Sequence, residues 1–344
     1  MNHWGKKKQE KMYMNRRYGI TIILVMIIFE FSAFADIFSV QILDNNKVLT
    51  GDLKTHVFGF ESSGHLTNGM YMGYTPRDVW PAAENRRGEY YITQSMYTPS
   101  DAHSHADTLV PHDRPYAGWL GAGLFVQSRQ SAAPGPGIFS LYNQNQYTLE
   151  IGTTGKASGA EALHVWHHRT RDLYTPGGWE YQLQTEPSFS AGYGRIFRFI
   201  TTQNPLFNLE VAPRYDASAG TLLTSLGTGI GVRAGSGLTD DYGIPGWGLN
   251  TRSMPAFKKY ERFHYALFFL FQHTRVVRNL FLDGTLFSSG HRVEKIPLVQ
   301  DLVLGFSIGF KNIRLTAEIL KRGEEFTNQS EESVFERVSI SYIR

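Results

Sequence analysis

The strongest constraint on this chain is a period of two. In "LVLGFSIGF", Leu304, Phe306, Ile308 and Phe310 share one face, and Gly305, Ser307 and Gly309 share the other. "IRLTAEIL" sets Ile313, Leu315, Ala317 and Ile319 against Arg314, Thr316 and Glu318. "VFERVSISY" sets Val338, Ile340 and Tyr342 against Arg337, Ser339 and Ser341. Alternation of this length marks β-strands with one apolar and one polar or small face. Phe207, Leu209 and Val211 repeat it against Asn208, Glu210 and Ala212, while "HYALFFLFQ" is apolar on both faces. Further strands are expected in "MYMGY", "EYYITQSMY", "GWLGAGLFV", "YTLEIG", "FSAGYGRIFRFIT" and "GTGIGVRAG". That makes about a dozen, each near the ~10 residues that cross a membrane when tilted.

Strand pattern alone suits a soluble barrel or sandwich with its apolar face inward. A transmembrane barrel does the reverse, turning the apolar face to lipid and enclosing the charges. Three features favour lipid. Lys6, Lys7, Lys8, Lys11, Arg16 and Arg17 precede the apolar run "ITIILVMIIFEFSAFA", which ends in Ala33-Phe34-Ala35. This reads as a secretory signal peptide over residues 1–35, followed by one barrel domain over 36–344. The polar faces of the strands carry full charges, and aromatic residues, 14% of the chain, recur at strand ends (Tyr71, Tyr74, Tyr97, Trp119, Tyr342), where interfacial girdles are expected. One feature points the other way: the chain ends Tyr342-Ile343-Arg344, whereas exported barrels usually finish on an aromatic residue. The expected fold is an all-β, antiparallel up-and-down transmembrane barrel of about twelve strands in a Gram-negative outer membrane, and a monomer.

Charge narrows the partners. Of 34 Lys and Arg and 31 Asp and Glu, six basic and two acidic residues lie in 1–35, leaving 28 against 29 in the remainder. The basic excess belongs to the export segment, and nothing supports nucleic-acid binding. There is no cysteine, which excludes disulfides and thiolate chemistry. No later apolar stretch reaches the ~18 residues of a membrane helix.

"HVWHHRTRDLYTPGGWEYQLQTEP" holds three of the chain's twelve histidines within five residues. Such a cluster can be a metal site, a general base or a solvated loop. His164 and His168 are four apart and would share one face of a helical turn, but zinc needs a third ligand, and the glutamate of H-E-x-x-H is absent. No G-x-S-x-G elbow occurs, which disfavours a serine triad.

Asp113-Arg114-Pro115-Tyr116-Ala117-Gly118-Trp119, preceded by Gln94 and Tyr97-Thr98-Pro99, resembles the outer-membrane lipid A 3′-O-deacylase family. Thr67-Asn68-Gly69 looks like its early strand motif. Further similarities follow in order: "LEIGTTG", His168-Arg169, Gly178-Trp179, "QLQTEP", "GTGIGVRAG", "LDGTLFSS" and "EEFTNQ". The resemblance covers residues 36–344. It implies a twelve-stranded barrel with the active site inside, near the outer-leaflet end. A histidine there activates water, a calcium ion stabilises the oxyanion, and lipid A loses its 3′-linked acyloxyacyl chain.

The resemblance makes His168 the expected catalytic base, since it is followed by Arg169 and stands eleven residues before Trp179. The chemistry suits it, because imidazole titrates near neutral pH. His164 stands where the family more often has Gln and is expected to orient ligand or substrate. Thr67 occupies the family's hydroxyl position, supporting the metal or a water. The family's Asn-Asp pair on the first strand matches Asn45 and Asn46 best, so Asn46 lacks the expected charge. Asp44 or Asp172 would then supply the anionic oxygen that calcium prefers, beside Asn45. Arg114 either satisfies buried groups or contacts a substrate phosphate. Arg86, Arg87, Arg252, Lys258 and Lys259, placed in extracellular loops, are expected to contact lipid A phosphates. The competing reading is a non-catalytic pore or structural barrel, which Asn46 favours.

Overall fold

A computed structural model describes residues 35–44, 66–76, 86–99, 109–131, 139–170, 177–201, 204, 206–239, 241–244, 259–329 and 332–344. The strands are β1 (Ala35–Asp44), β2 (Leu66–Pro76), β3 (Arg86–Tyr97), β4 (Ala117–Ser131), β5 (Phe139–Thr154) and β6 (Pro187–Thr201). They continue with β7 (Asn208–Gly220), β8 (Leu223–Gly235), β9 (Tyr260–Asn279), β10 (Leu298–Lys311), β11 (Ile313–Arg322) and β12 (Ser333–Ile343). Neighbours in sequence are antiparallel neighbours in space, and β1 pairs with β12 to close the barrel. Ser39 lies opposite Ser341 at the closure, their hydroxyls 3.0 Å apart. Closure leaves no unpaired edge, the condition for crossing a bilayer with strands. The proposed signal peptide lies outside the described residues except for Ala35, where β1 begins.

The alternation read from the sequence is inside out, as lipid requires. On β10, Leu304, Phe306, Ile308 and Phe310 are exposed, whereas the intervening Gly305, Ser307 and Gly309 are buried. Strand β9 is apolar on both faces for two different reasons. Tyr265, Leu267 and Phe269 point outward, and Phe268 and Leu270 join a luminal cluster with Ile196, Ala212, Val303, Leu320 and Phe335. The girdle expectation needs correcting. Tyr71 stacks on Tyr91 at 5.1 Å within the lumen, Trp119 donates to the buried Ser188 hydroxyl, and Tyr97 lies under Arg114. Tyr74 and Tyr342 keep the outward phase, as do Tyr90, Tyr147, Phe199, Phe207, Tyr215, Phe263 and Phe310 among others.

The turns after β4, β6 and β10 are short, and the connections after β1, β3, β5 and β9 are long. Short turns face the periplasm in barrels of this class. Thus even-numbered strands end at the periplasmic side. The long β8–β9 connection is the exception, and its first residues fold into the lumen. Leu238 packs with Ile200 and Ala266, and Ile244 with Phe268 and Phe335. Asp241 ion-pairs with Arg233 at 2.6 Å and Arg198 at 3.3 Å, and both arginines also hold Glu210. Arg129 donates to the Thr239 carbonyl at 2.7 Å. A ring of this many strands is wider than side chains alone fill easily. Long arginines and an inserted segment occupy the periplasmic third.

Candidate active site

The histidine-rich stretch between β5 and β6 contains helix α1 (Ala160–Thr170). Gly159, at φ 70°, makes the left-handed step out of a short 3-10 turn, and its carbonyl accepts the first helical bond from Leu163 N–H at 3.0 Å. Glu161 lies in the first turn, and His167, His168 and Arg169 lie in the last, which suits the helix dipole at both ends.

α1 rests on the outer wall of the barrel, which corrects the expectation of an internal site. Tyr90 and Ile92 on β3 face lipid, so Met96, in the same phase, points outward as well. Met96 is nevertheless buried, in a cluster with Tyr116, Ala160, Trp179 and Leu163. Gly118 on β4 is outward in phase with exposed Leu120, and a Cβ there would meet the Ala160 Cβ at 2.3 Å. The Gln94 side-chain amide donates to the Ser158 carbonyl at 2.8 Å. The helix begins over β4 and reaches β3 within one turn, so its course carries His168 toward β2 and β1. The helix thus lies on the lipid-facing side of the wall.

Residues 160, 163, 164, 167 and 168 form the wall-facing stripe. His164 is buried, and the Trp179 indole N–H donates to its Nδ1 at 3.0 Å. Burial, then the neighbouring His168 and His167, push its pKa down to about 3. His164 is therefore neutral near pH 7, with its proton on Nε2. The His168 ring meets it edge-on, with centroids 4.4 Å apart. His168 itself is half-buried, open enough for water. Through Nδ1, His164 ties α1 to Trp179.

The recognised motifs converge on this seat. Tyr116 meets Trp179 at 5.2 Å, and a Cβ on Gly178 would lie 2.3 Å from the Tyr116 ring. The Thr154 hydroxyl donates to the Gln184 carbonyl at 2.8 Å, tying "TTG" to "QLQTEP". Trp179 and Gly118 shape this seat, and single-residue chemistry does not flag them. Their signals are an indole beside a histidine cluster and a glycine in the outward phase of a strand.

The remaining candidates fall as follows. Asp44 is the ladder partner of both Asn68 and Glu336 at the extracellular end. Asn68 in turn pairs with Met96, beneath α1, so Thr67 and Asp44 lie one and two strands from the helix seat. Asn45, Asn46 and Asp172 lie outside the described residues. Arg114 is 1% exposed, 4.7 Å above the Tyr97 ring and 3.4 Å from the Glu325 carboxylate. It satisfies a buried carboxylate and is not placed to meet a lipid phosphate. Arg86, Arg87 and Lys259 flank the periplasmic ends of β3 and β9, opposite to the expected side; Arg252 and Lys258 lie outside the described residues. The exposed basic residues beside the seat are Lys156 and Arg169.

A family model described as outer membrane protein LpxR matches residues 27–344. The structure of LpxR from Salmonella typhimurium is 20% identical and covers 90% of this chain and 100% of its own, with a TM-score of 0.77. The β domain of the Bordetella autotransporter BrkA covers 90% of this chain and 100% of its own at 9% identity, with a TM-score of 0.44. No curated protein sequence matches the chain.

Proposed function

Because the chain belongs to the outer membrane protein LpxR family, we propose that it is an outer-membrane esterase that hydrolyses the 3′-linked acyloxyacyl chain of lipid A, with His168 as general base. The observation that carries this reading is a water-accessible imidazole on the wall-facing stripe of a helix seated on the lipid side of the barrel. Neutral His164 lies edge-on to it, with ring centroids 4.4 Å apart. His168 removes a proton from water as the oxygen attacks the 3′ ester carbonyl. It then returns that proton to the departing sugar oxygen, releasing a fatty acid and a free 3′ hydroxyl. By the family pattern, Thr67 would hold the water and Asn46 would orient the imidazole without the charge a carboxylate adds. Lys156 and Arg169 draw the anionic headgroup to the seat.

Asp44, Asn45 and Asp172 are the residues that would hold a hard divalent cation, offering oxygen donors that include two carboxylates. A calcium ion held there would supply positive charge to the carbonyl oxygen as it becomes an oxyanion. The rival pore reading meets an obstacle in the periplasmic plug around Asp241, Arg198 and Arg233.

The test is expression in a host with hexa-acylated lipid A, followed by mass spectrometry of its lipid. Loss of the 3′ acyloxyacyl mass with the intact chain, and not with His168→Ala, is expected. Unchanged lipid A in both would remove the reading.

A further inference from the structure

The outer wall beside α1 carries a groove of about 740 Å³ across β3, β4, β5 and β6, lined by Ile92, Leu120, Ala122, Ile151, Phe189 and Phe287 among others. We propose that this groove seats an acyl chain of the substrate lipid other than the chain that is cleaved. This rests on the deacylase reading above.

The groove is continuous with the helix seat. Leu120 is two residues from Gly118, on which Ser158 and Ala160 rest, and Ile92 is two residues from Gln94, which binds Ser158. All four share the outward phase. Ala122 forms the low floor, and its cross-strand neighbours Ile92 and Ile151 are 60% and 64% exposed, walls with nothing between them. The volume falls within the ~300–1,000 Å³ of ligand sites.

A second observation concerns Phe287, at the tip of the β9–β10 loop. It is 81% exposed, yet its position is fixed from below. The buried Glu186 carboxylate accepts the N–H groups of Leu286 and Phe287, each at 2.8 Å, with one oxygen apiece. The Glu186 carbonyl in turn accepts Thr154 N–H at 3.0 Å, at the end of β5. A buried carboxylate that fixes the backbone of an exposed aromatic residue at the edge of an apolar trough suits an apolar ligand in that trough. At this level of a bilayer the apolar ligand is an acyl chain.

Which chain follows from the helix. Ala160 sits at the groove side and His168 eight residues further on, about 12 Å at 1.5 Å per residue, in the direction of β2. A chain running from an ester at His168 would spend about 12 Å of its length before reaching the groove, so the groove suits a chain attached nearer Ala160. A lipid with several chains spread over a wide headgroup fills both places at once, so the groove should favour multi-acylated disaccharide lipids over two-chain phospholipids.

The test uses the full chain in phosphatidylcholine vesicles with lipid A as a minor component. A photoreactive p-benzoylphenylalanine replaces Phe287, or Val232 on the far wall as the reference position. Lipid A adducts are expected to be enriched about tenfold at position 287 over position 232, equivalent to a tenfold preference in binding. Equal lipid A fractions at the two positions would overturn the proposal. In a second arm, Ala122→Trp fills the groove from outside the barrel. It should raise KM for hexa-acylated lipid A about tenfold with kcat kept, while Val232→Trp changes neither. An unchanged KM in Ala122→Trp, with the barrel folded by its heat-modifiable gel mobility, also overturns it. Enrichment without any hydrolysis would sink the deacylase reading and leave the lipid A groove; hydrolysis without enrichment would do the reverse.

Discussion

The contact between Trp179 and His164 makes docking of α1 pH-dependent, with a sign that can be worked out. Docked, His164 is neutral with its pKa pushed down to about 3, and its Nδ1 accepts the indole N–H. Undocked, the imidazole returns to an ordinary value of ~6.5. The undocked state therefore binds more protons between those values, so docking is strongest above pH 6.5 and is lost as pH falls through the window toward 3. Within the window the slope approaches ~1.4 kcal/mol per pH unit, about tenfold in the opening equilibrium. Protonation also turns Nδ1 from acceptor to donor, facing the Trp179 N–H with no bond to make. His164→Gln keeps an acceptor oxygen for the indole and does not titrate. Hydrogen exchange of residues 160–170 should speed up about tenfold from pH 6 to pH 5 beyond the intrinsic rate in the wild type, and stay flat in His164→Gln. Equal pH profiles in the two proteins would refute the assignment of His164 as the titrating lock.

Other outcomes follow from the same contacts. Gly118→Val drives a side chain into Ser158 and Ala160, so α1 should lift and activity fall by at least ~100-fold, as misplaced catalytic groups allow, with the barrel's gel mobility unchanged. Arg114→Ala removes one of the two cations at the buried Glu325, leaving Arg322 at 3.8 Å, and takes the guanidinium from the Tyr97 face, so thermal stability should fall by ~1–3 kcal/mol while KM for lipid A stays within twofold. Asp241→Ala leaves Glu210 as the carboxylate shared by Arg198 and Arg233 and loosens the plug; the wild type should be silent in planar bilayers and the variant should conduct. Exhaustive chelation should abolish deacylation and calcium should restore it. Activity that survives chelation would remove the metal from the mechanism.

The fold was legible because a period of two is visible wherever polar and apolar residues differ sharply, as in β10, β11 and β12. Phase was harder. Tyr71, Tyr97 and Trp119 look like girdle residues by type, yet each alternates with outward neighbours and therefore points into the lumen. The neighbouring glycines carried that information, since Gly69 and Gly73 share the face of Tyr71. Sidedness was misjudged for Arg86, Arg87 and Lys259 because counting strands from the first, not charge, decides which end a loop occupies. His168 and the motif around it stand out as residues, but their placement on the outer wall does not. Helix α1 is short and weakly amphipathic, and its seat depends on a glycine at position 118 that says nothing by composition. The plug was invisible for a related reason: "GLTDDYGI" reads as a solvated turn until Arg198 and Arg233 are brought to it by strands far away in sequence.

The account stands most directly on the route of oxygen in the cleavage. Purified protein in vesicles of lipid A and H2(18)O should release a fatty acid carrying one heavy oxygen in its carboxyl group. The sugar 3′ hydroxyl should be unlabelled, and His168→Ala should give no release. Label on the sugar, or equal release from His168→Ala, would contradict water activated by His168 on the outer wall.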